Sequence, residues 1–376
     1  MVKKIALLGS TGSIGRQTLD AVRALPGKFS IVGLSAGKNM DLLAQQINEF
    51  HPALVSYDSH QPMPDNARYD FLSLEALASH PAVDTVVIGI PGKAGLGPTL
   101  AAVRAGKTIC LANKESLVMA GEIVTREARR SGAHILPVDS EHSALWQCLR
   151  GESKKVARLI LTASGGPFRH FTPAQLKKIT VEQALRHPSW HMGKKITIDS
   201  ATMMNKGLEV TEAHWLFDVP FERIEILIHA ECIVHSMVEF IDGAMKAQLG
   251  QPDMRLPIQY ALSYPERLAN PTLPRLDWTQ IRDLTFEPPD FETFPCLRLA
   301  IDAGKKGGTY PAVLCAADEV AVELFLARRI KFTDIARYVE QALAQHKAIN
   351  KPTLDDIMAA DAWARDITLK LAGGVE

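Results

Sequence analysis

The sequence predicts an α/β protein, and three observations predict it. In the first third, short apolar runs alternate with stretches of helical spacing. A glycine-rich turn follows the first of those runs, and the last fifth of the chain is helix-like throughout. Strands alternating with helices make βαβ units, so a doubly wound parallel sheet covered on both faces is expected at the N-terminus. A central α+β segment and a C-terminal helical bundle complete the expected architecture.

The elements follow in order. Lys3–Leu8 reads as a buried strand, the turn follows, and Ile14–Ala24 has helical spacing. Phe29–Leu34 is the second strand, and Asp41–Phe50 is its crossover helix. Ala53–Tyr57, Thr85–Ile90, Thr108–Leu111 and His134–Val138 are further strands, with helices over Leu96–Arg104 and Glu115–Arg130 between the later ones. Beyond these, Val156–Leu161 is a strand, Ala201–Phe217 one long helix, and Ile224–His229 a strand. Val234–Ile241 and Ala244–Leu249 flank Asp242-Gly243, a strong hairpin signal. Residues 264–295 hold six of the chain's 22 prolines and read as an extended connector. Helices are expected over Leu297–Ala303, Tyr310–Arg328, Phe332–His346 and Thr353–Lys370, the last opening on Thr353-Leu-Asp-Asp356, close to a capping box. The expected domains are 1–126, 127–263 and 296–376, with 264–295 joining the last two.

Length and charge set bounds on function. The chain has 376 residues, enough for two or three domains, and 42 basic against 42 acidic side chains, so no net field favours nucleic acid or anionic membrane. Five scattered cysteines with no C-x-x-C spacing argue against a disulfide framework, a zinc ribbon or a redox pair, and for a reducing compartment. The N-terminal apolar run stops at Leu8, too short for a signal peptide core, and no run is long enough for a membrane span. A cytoplasmic protein is expected.

The turn G-S-T-G-S-I-G places glycines at 9, 12 and 15 between strand and helix. Gly9 permits the tight turn, Gly12 lets the backbone approach a pyrophosphate, and Gly15 lets helix and strand pack closely. The helix N-terminus adds free N–H groups and the positive dipole end. With that flanking context the reading is a Rossmann-type dinucleotide site; the alternative is a turn without a ligand. An NAD site would end its second strand on Asp or Glu, yet no acidic residue lies between Asp20 and Asp41. Gly37, Lys38 and Asn39 stand there instead, and a cation and an amide suit a 2′-phosphate, which favours NADP(H). The competing view makes Lys38 an ordinary solvated lysine.

Asp139 and Glu141 follow a strand directly, where ligands of open α/β sheets sit. Carboxylates this close repel unless a cation or proton neutralises them, although Ser140 and Glu141 could equally cap the following helix. Further on, Asn205 and Glu209 are four apart and share a helix face. Asp139, Glu141 and Glu209 would make an all-oxygen site suited to Mg²⁺ or Mn²⁺. Zinc is disfavoured: Pro188 separates His187 from His191, there is no H-E-x-x-H, and His142 reads as a helix-start residue. Ser164 in A-S-G-G-P, with Ser200, Asn205 and Lys206, offers hydroxyls, an amide and a lysine to a phosphate monoester. Between them H-P-S-W-H-M-G, residues 187–193, reads either as a water-excluding lid tipped by Trp190 or as a loop whose tryptophan packs on its own domain.

Eight motifs then occur in order: G-S-T-G-S-I-G, S-A-G-K-N, L-A-N-K-E-S-L, P-V-D-S-E-H-S-A, L-T-A-S-G-G-P-F, H-P-x-W-x-M-G, D-S-A-T-M-M-N-K-G-L-E and G-Q-P-D-M-R-x-P-I. Together they resemble the 1-deoxy-D-xylulose 5-phosphate reductoisomerase family from residue 5 to about 330. The resemblance implies conversion of 1-deoxy-D-xylulose 5-phosphate to 2-C-methyl-D-erythritol 4-phosphate, by skeletal rearrangement and then hydride transfer from NADPH, in isoprenoid precursor synthesis. It implies NADPH contacts at Thr11, Gly12, Ser13, Ile14, Gly37, Lys38, Asn39, Asn113, Glu115 and Gly193. Asp139, Glu141 and Glu209 would hold the divalent metal. Lys114, Ser140, Glu141, Ser164, His187, Trp190, Ser200, Asn205, Lys206 and Glu209 would meet the substrate, with Lys114, Glu141 and His187 nearest the chemistry. A homodimer through the hairpin around 234–250 is implied as well.

This sequence departs from the family pattern at His191, at His-Ala-Glu-Cys (229–232) in place of the usual His-Pro-Gln-Ser, and at Cys315 in place of Asn. The segment between Tyr57 and Asp84 is also short. Two other functions compete. A semialdehyde dehydrogenase needs an activated thiol beside a histidine, and no cysteine here has that setting in the sequence. An NADP(H)-sensing regulator would leave the carboxylates without a purpose.

Overall fold

A computed structural model describes residues 2–58, 69–152, 155–190 and 192–373. His191 and most of the short segment after Tyr57 lie outside the described residues. The chain forms two compact units: Met1–Ser116, Glu122–Trp146 and Asp253–Leu276 make the first, and Leu117–Gly121, Gln147–Pro252 and Asp277–Glu376 the second.

The first unit is built on a seven-stranded sheet. Its strands are β1 (Lys3–Leu8), β2 (Phe29–Ser35), β3 (Leu54–Ser56), β4 (Asp70–Phe71), β5 (Thr85–Ile88), β6 (Thr108–Leu111) and β7 (His134–Pro137). Their order is β4-β3-β2-β1-β5-β6-β7, every pairing parallel, so the strand order reverses beside β1. That reversal is where a doubly wound sheet opens a crevice for ligands. The strands read as apolar runs because helices cover both faces: Ile5, Ala6, Leu7 and Leu8 are fully buried. The crossover helices are α1 (Ser13–Ala24), α2 (Met40–Phe50), α3 (Leu74–Ser79), α4 (Leu96–Arg104) and α5 (Lys114–Ser131), followed by α6 (Ser140–Leu149). Side chains set several starts: Asn39 accepts from the Leu42 N–H, Ser73 from Ala76 and Asn113 from Ser116.

The second unit carries a four-stranded sheet, β11-β10-β8-β9, from β8 (Val156–Ala163), β9 (Ile224–Ile228), β10 (Val234–Phe240) and β11 (Met245–Leu249). β10 and β11 form the expected antiparallel hairpin, and Gly243 takes the left-handed conformation (φ 83°) that its turn requires. Two short helices, α7 (Pro173–Leu176) and α8 (Val181–Ala184), each start on a complete capping box. The single long helix expected over Ala201–Phe217 is two helices, α9 (Lys194–Thr202) and α10 (Met204–Phe217). Met203 lies between them in the left-handed region (φ 63°), which ends one helix and starts the next in a new direction. Apolar spacing alone does not disclose such a break, because methionine is a good helix former.

Helix α11 (Arg255–Ser263) returns to the first unit. Ile258, Ala261 and Leu262 are buried in the core with Ile5, Leu7 and Leu136, and Lys3 Nζ donates to the carbonyls of Leu262 and Tyr264 at 2.8 Å each. Past α11 the proline-rich stretch has no helix and one isolated β-bridge, Ile228 with Glu287. Four helices close the chain: α12 (Pro295–Lys306), α13 (Tyr310–Leu326), α14 (Asp334–Gln345) and α15 (Leu354–Gly373). α10 packs on α12 so closely that a Cβ on Gly207 would lie 2.4 Å from the Ala300 methyl. The start of α15 is the reciprocal cap: Thr353 N–H donates to Asp356 at 2.8 Å and Asp356 N–H to Thr353 Oγ1 at 3.2 Å.

Candidate active site

The glycine turn stands at the carboxyl end of β1. Gly9 has φ 85°, and a Cβ there would lie 2.9 Å from the Gly89 carbonyl. A Cβ on Gly15 would lie 2.3 Å from the Gly9 carbonyl, so α1 reaches this depth against β1 only as glycine. Gly9 N–H donates to Ser35 Oγ (3.0 Å), and Ser10 Oγ to Gln46 Oε1 (2.6 Å), which stiffens the turn from outside. Gly12 is the N-cap of α1 and brings no side-chain bond, so the first N–H groups keep no side-chain acceptor there. Thr11, Ser13 and Ile14 are half-buried, and Gly12 is exposed. Gly37, Lys38 and Asn39 are exposed just past β2. Asn113 is 2% exposed, and its amide donates to the carbonyls of Ile90 and Gly92 and to Glu115 while capping α5, so its side chain is fully engaged.

The acidic pair follows β7. Lys114 Nζ lies 2.6 Å from Asp139 Oδ2, both side chains mostly buried, so the first turn of α5 supplies a counter-charge to this carboxylate. Asp139 Oδ1 accepts from the Ser140 N–H (3.0 Å), and Ser140 Oγ donates to Glu141. Ser140 and Glu141 sit in the first turn of α6, directly after the charge-paired Asp139.

In the second unit three expected substrate residues meet. His187 Nε2 lies 3.1 Å from Ser164 Oγ and 3.1 Å from Ser200 Oγ. Its Nδ1 accepts from the N–H groups of Ser189 (3.1 Å) and Trp190 (3.0 Å), so the neutral ring carries its hydrogen on Nε2. Burial lowers the imidazole pKa to about 4, and two N–H groups aimed at Nδ1 also disfavour a second proton. The Gly166 N–H donates to Ser164 Oγ at 3.1 Å, adding a backbone donor.

The next constellation lies on α10. Asn205 Nδ2 and Lys206 Nζ both donate to the Glu209 carboxylate, and Lys206 also donates to the Thr162 carbonyl at 2.6 Å. Glu209 is 1% exposed, and the four-residue spacing does put Asn205 on its face. Gly193 is the N-cap of α9.

Trp190 is half-buried rather than exposed, its ring 6.3 Å from that of His235. His235 escaped the sequence reading; it lies on the face of β10 that also carries the half-buried Met237 and Glu239, yet it is itself buried, and burial lowers its pKa to about 4. The unusual Cys232 bears on the loop as well, its thiol facing Ser189 Oγ at 3.7 Å. All five cysteines are buried, and none forms a disulfide. Cys296 sits in the first turn of α12. Burial, then the charges of Asp318 and Asp199, raise that thiol well above its ordinary value, which is the reverse of nucleophile activation.

Known proteins resemble this chain along nearly its whole length. Family models for 1-deoxy-D-xylulose 5-phosphate reductoisomerase match residues 5–121, and those for its C-terminal domains match 135–217 and 249–367. The 1-deoxy-D-xylulose 5-phosphate reductoisomerases of Pelotomaculum thermopropionicum and Pelodictyon phaeoclathratiforme are 51% and 53% identical to this chain, each alignment covering 98% of it and 98% and 99% of the relative. A crystal structure of DOX-P reductoisomerase with NADPH, fosmidomycin and magnesium superposes with TM-score 0.93 at 41% identity, over 99% of this chain and 98% of that one. The enzyme from Zymomonas mobilis with NADPH gives 0.91 at 40%, over the whole of both chains. By sequence along nearly all its length and by fold, the chain belongs to the 1-deoxy-D-xylulose 5-phosphate reductoisomerase family.

Proposed function

We propose that this protein is an NADPH- and divalent-metal-dependent reductoisomerase that converts 1-deoxy-D-xylulose 5-phosphate to 2-C-methyl-D-erythritol 4-phosphate. The observation that carries the substrate reading is the convergence of two serine hydroxyls on one neutral imidazole, Ser164 and Ser200 on His187. Such a cluster can turn several hydrogens toward one phosphate without placing a fixed charge there.

The donor set fits a hard dication. Asp139, Glu141 and Glu209 offer oxygen only, the donor chemistry that a hard dication prefers. We assign Mg²⁺ or Mn²⁺ to these three residues. We assign NADPH to the glycine turn with Thr11, Gly12, Ser13 and Ile14, to Gly37, Lys38 and Asn39, and to Asn113, Glu115 and Gly193. When bound, the metal supplies Lewis acidity at the substrate oxygens and NADPH supplies the hydride. The chain's own residues do the rest. Lys114 keeps positive charge beside Asp139 and the reacting oxygens, while Asn205 and Lys206 orient Glu209. Ser164, His187 and Ser200 hold the phosphate, whose remote binding energy positions the reacting carbons. Trp190 and the 187–193 loop exclude water over the bound substrate.

Cofactor binding falls to residues 1–126, metal and substrate binding to 127–263, with 264–295 as connector and 296–376 as helical support. The protein works in the cytoplasm, in keeping with five cysteines outside any disulfide, and no described helix is long and apolar enough to cross a membrane. It forms a homodimer through the hairpin, since β11 is the edge of its sheet and Ile241 and Met245 are 65% and 50% exposed. The deciding assay follows NADPH absorbance with 1-deoxy-D-xylulose 5-phosphate after chelation, with and without added Mg²⁺ or Mn²⁺. Metal-restored oxidation of NADPH, with NADH serving poorly, is the expected result; metal-independent oxidation overturns the metal assignment.

A further inference from the structure

Helix α9 delivers Ser200 to the phosphate site, yet little in its own sequence holds it in place. It is nine residues long, its N-cap Gly193 brings no side-chain bond, and its first turn holds Lys194 and Lys195 but no acid. Two cations at the positive end of a helix dipole are unfavourable. The tolerance at the other end is small: a Cβ on Gly166 would lie 2.7 Å from the Ser200 carbonyl, so the A-S-G-G-P turn is packed directly on the helix. A shift of α9 by an ångström would part Ser200 from His187 and from that turn together.

One side chain ties the start of α9 to the C-terminal helices. Lys195 Nζ lies 2.5 Å from Asp199 Oδ2, one turn along α9, and 2.9 Å from Asp318 Oδ2 on α13. Asp318 is fully buried, Asp199 is 2% exposed, and the Lys195 side chain is 24% exposed. Two buried carboxylates meet one ammonium, which offsets part of their lost hydration. It also cancels the clash of Lys195 with the helix dipole by giving the charge fixed partners.

We propose that Lys195 is a positioning residue: held between Asp199 and Asp318, it anchors α9 to α13 and thereby sets Ser200 against His187 for phosphate binding. This rests on the reading of Ser164, His187 and Ser200 as the phosphate site. Lys195 touches neither substrate nor cofactor in this scheme. It follows that an uncharged oxygen acceptor at position 318 serves as well as a carboxylate, because what Lys195 needs there is the oxygen.

The test compares Lys195→Met, Asp318→Asn and Asp318→Leu with the wild type, all loaded with NADPH and Mg²⁺. Inorganic phosphate binding is measured by calorimetry, and KM and kcat with 1-deoxy-D-xylulose 5-phosphate. Lys195→Met and Asp318→Leu should weaken phosphate binding and raise KM by about tenfold, with kcat within about twofold and NADPH affinity unchanged. Asp318→Asn should stay within about twofold of wild type in every constant. Unchanged phosphate affinity in folded Lys195→Met overturns the proposal, as does a parallel fall of kcat, substrate affinity and NADPH affinity, which marks a merely structural role. Should Lys195→Met fail to fold, the Asp318 pair decides: equal phosphate affinity in the Asn and Leu variants overturns it. A wild type that binds phosphate without consuming NADPH sinks the reaction reading alone; one that binds no phosphate sinks both.

Discussion

At the scale of the residue, the chemistry depends on charges kept out of water beside chosen partners. Glu209 is the clearest case, since its oxygens are engaged by Asn205 and Lys206 in a nearly water-free setting. Glu209→Gln preserves shape and one acceptor oxygen but removes the charge a dication needs. Turnover at limiting Mg²⁺ should fall by about 100-fold or more, with the fold retained; near-wild-type turnover at limiting Mg²⁺ would remove Glu209 from the metal set. His187 and His235 present the opposite demand, both held neutral by burial with pKa values near 4 against an ordinary 6.5. A folded value below the unfolded one means that the unfolded chain binds more protons between those limits. The stability they contribute is therefore full above about pH 6.5 and lost as pH falls toward 4. Thermal melts from pH 7 to pH 5 should show a falling Tm, less steep in His235→Gln; identical slopes would show that His235 is not a source of the loss.

Elements place those residues, and here glycine decides more than any catalytic side chain. The first βα turn holds its shape because Gly15 allows α1 to approach the Gly9 carbonyl. Gly15→Ala puts a methyl 2.3 Å from that oxygen, so the helix must move. We expect a loss of about 1–3 kcal/mol in stability and at least tenfold weaker NADPH binding, read by melting and by fluorescence titration. Phosphate binding at Ser164 and Ser200 should be unaffected. A Gly15→Ala protein with wild-type NADPH affinity would mean that the turn is not the cofactor site. Helix starts were legible because capping has a short-range signature, as Thr353 and Asp356 show. The break at Met203 was not, since nothing in S-A-T-M-M-N-K marks a left-handed residue and only the surrounding packing imposes it.

At the scale of the whole molecule, one long-range decision stands out. α11 follows the hairpin in sequence yet buries Ile258, Ala261 and Leu262 in the core of the first unit. Local pattern says that this helix has an apolar face and is silent about which sheet receives it. The proposed dimer belongs to this scale too. Sedimentation should give a dimer for the wild type and a monomer for the double variant Ile241→Glu with Met245→Glu, which puts charge on the exposed hairpin. A variant that stays dimeric would move the interface elsewhere.

The sequence by itself determined the alternating parallel sheet, the glycine turn, the hairpin at Asp242-Gly243 and the helical C-terminus. Each of these is written in spacing, turn chemistry or residue type, which act over a few positions. Only the tertiary structure decided that His187 is a neutral Nε2–H imidazole between Ser164 and Ser200, that Asn113 donates its amide to the Ile90 and Gly92 carbonyls, and that Lys195 reaches Asp318 on α13. Those facts join residues far apart in the chain through burial and hydrogen-bond geometry. Periodicity carries no information about such partners, because they are chosen when the helices pack.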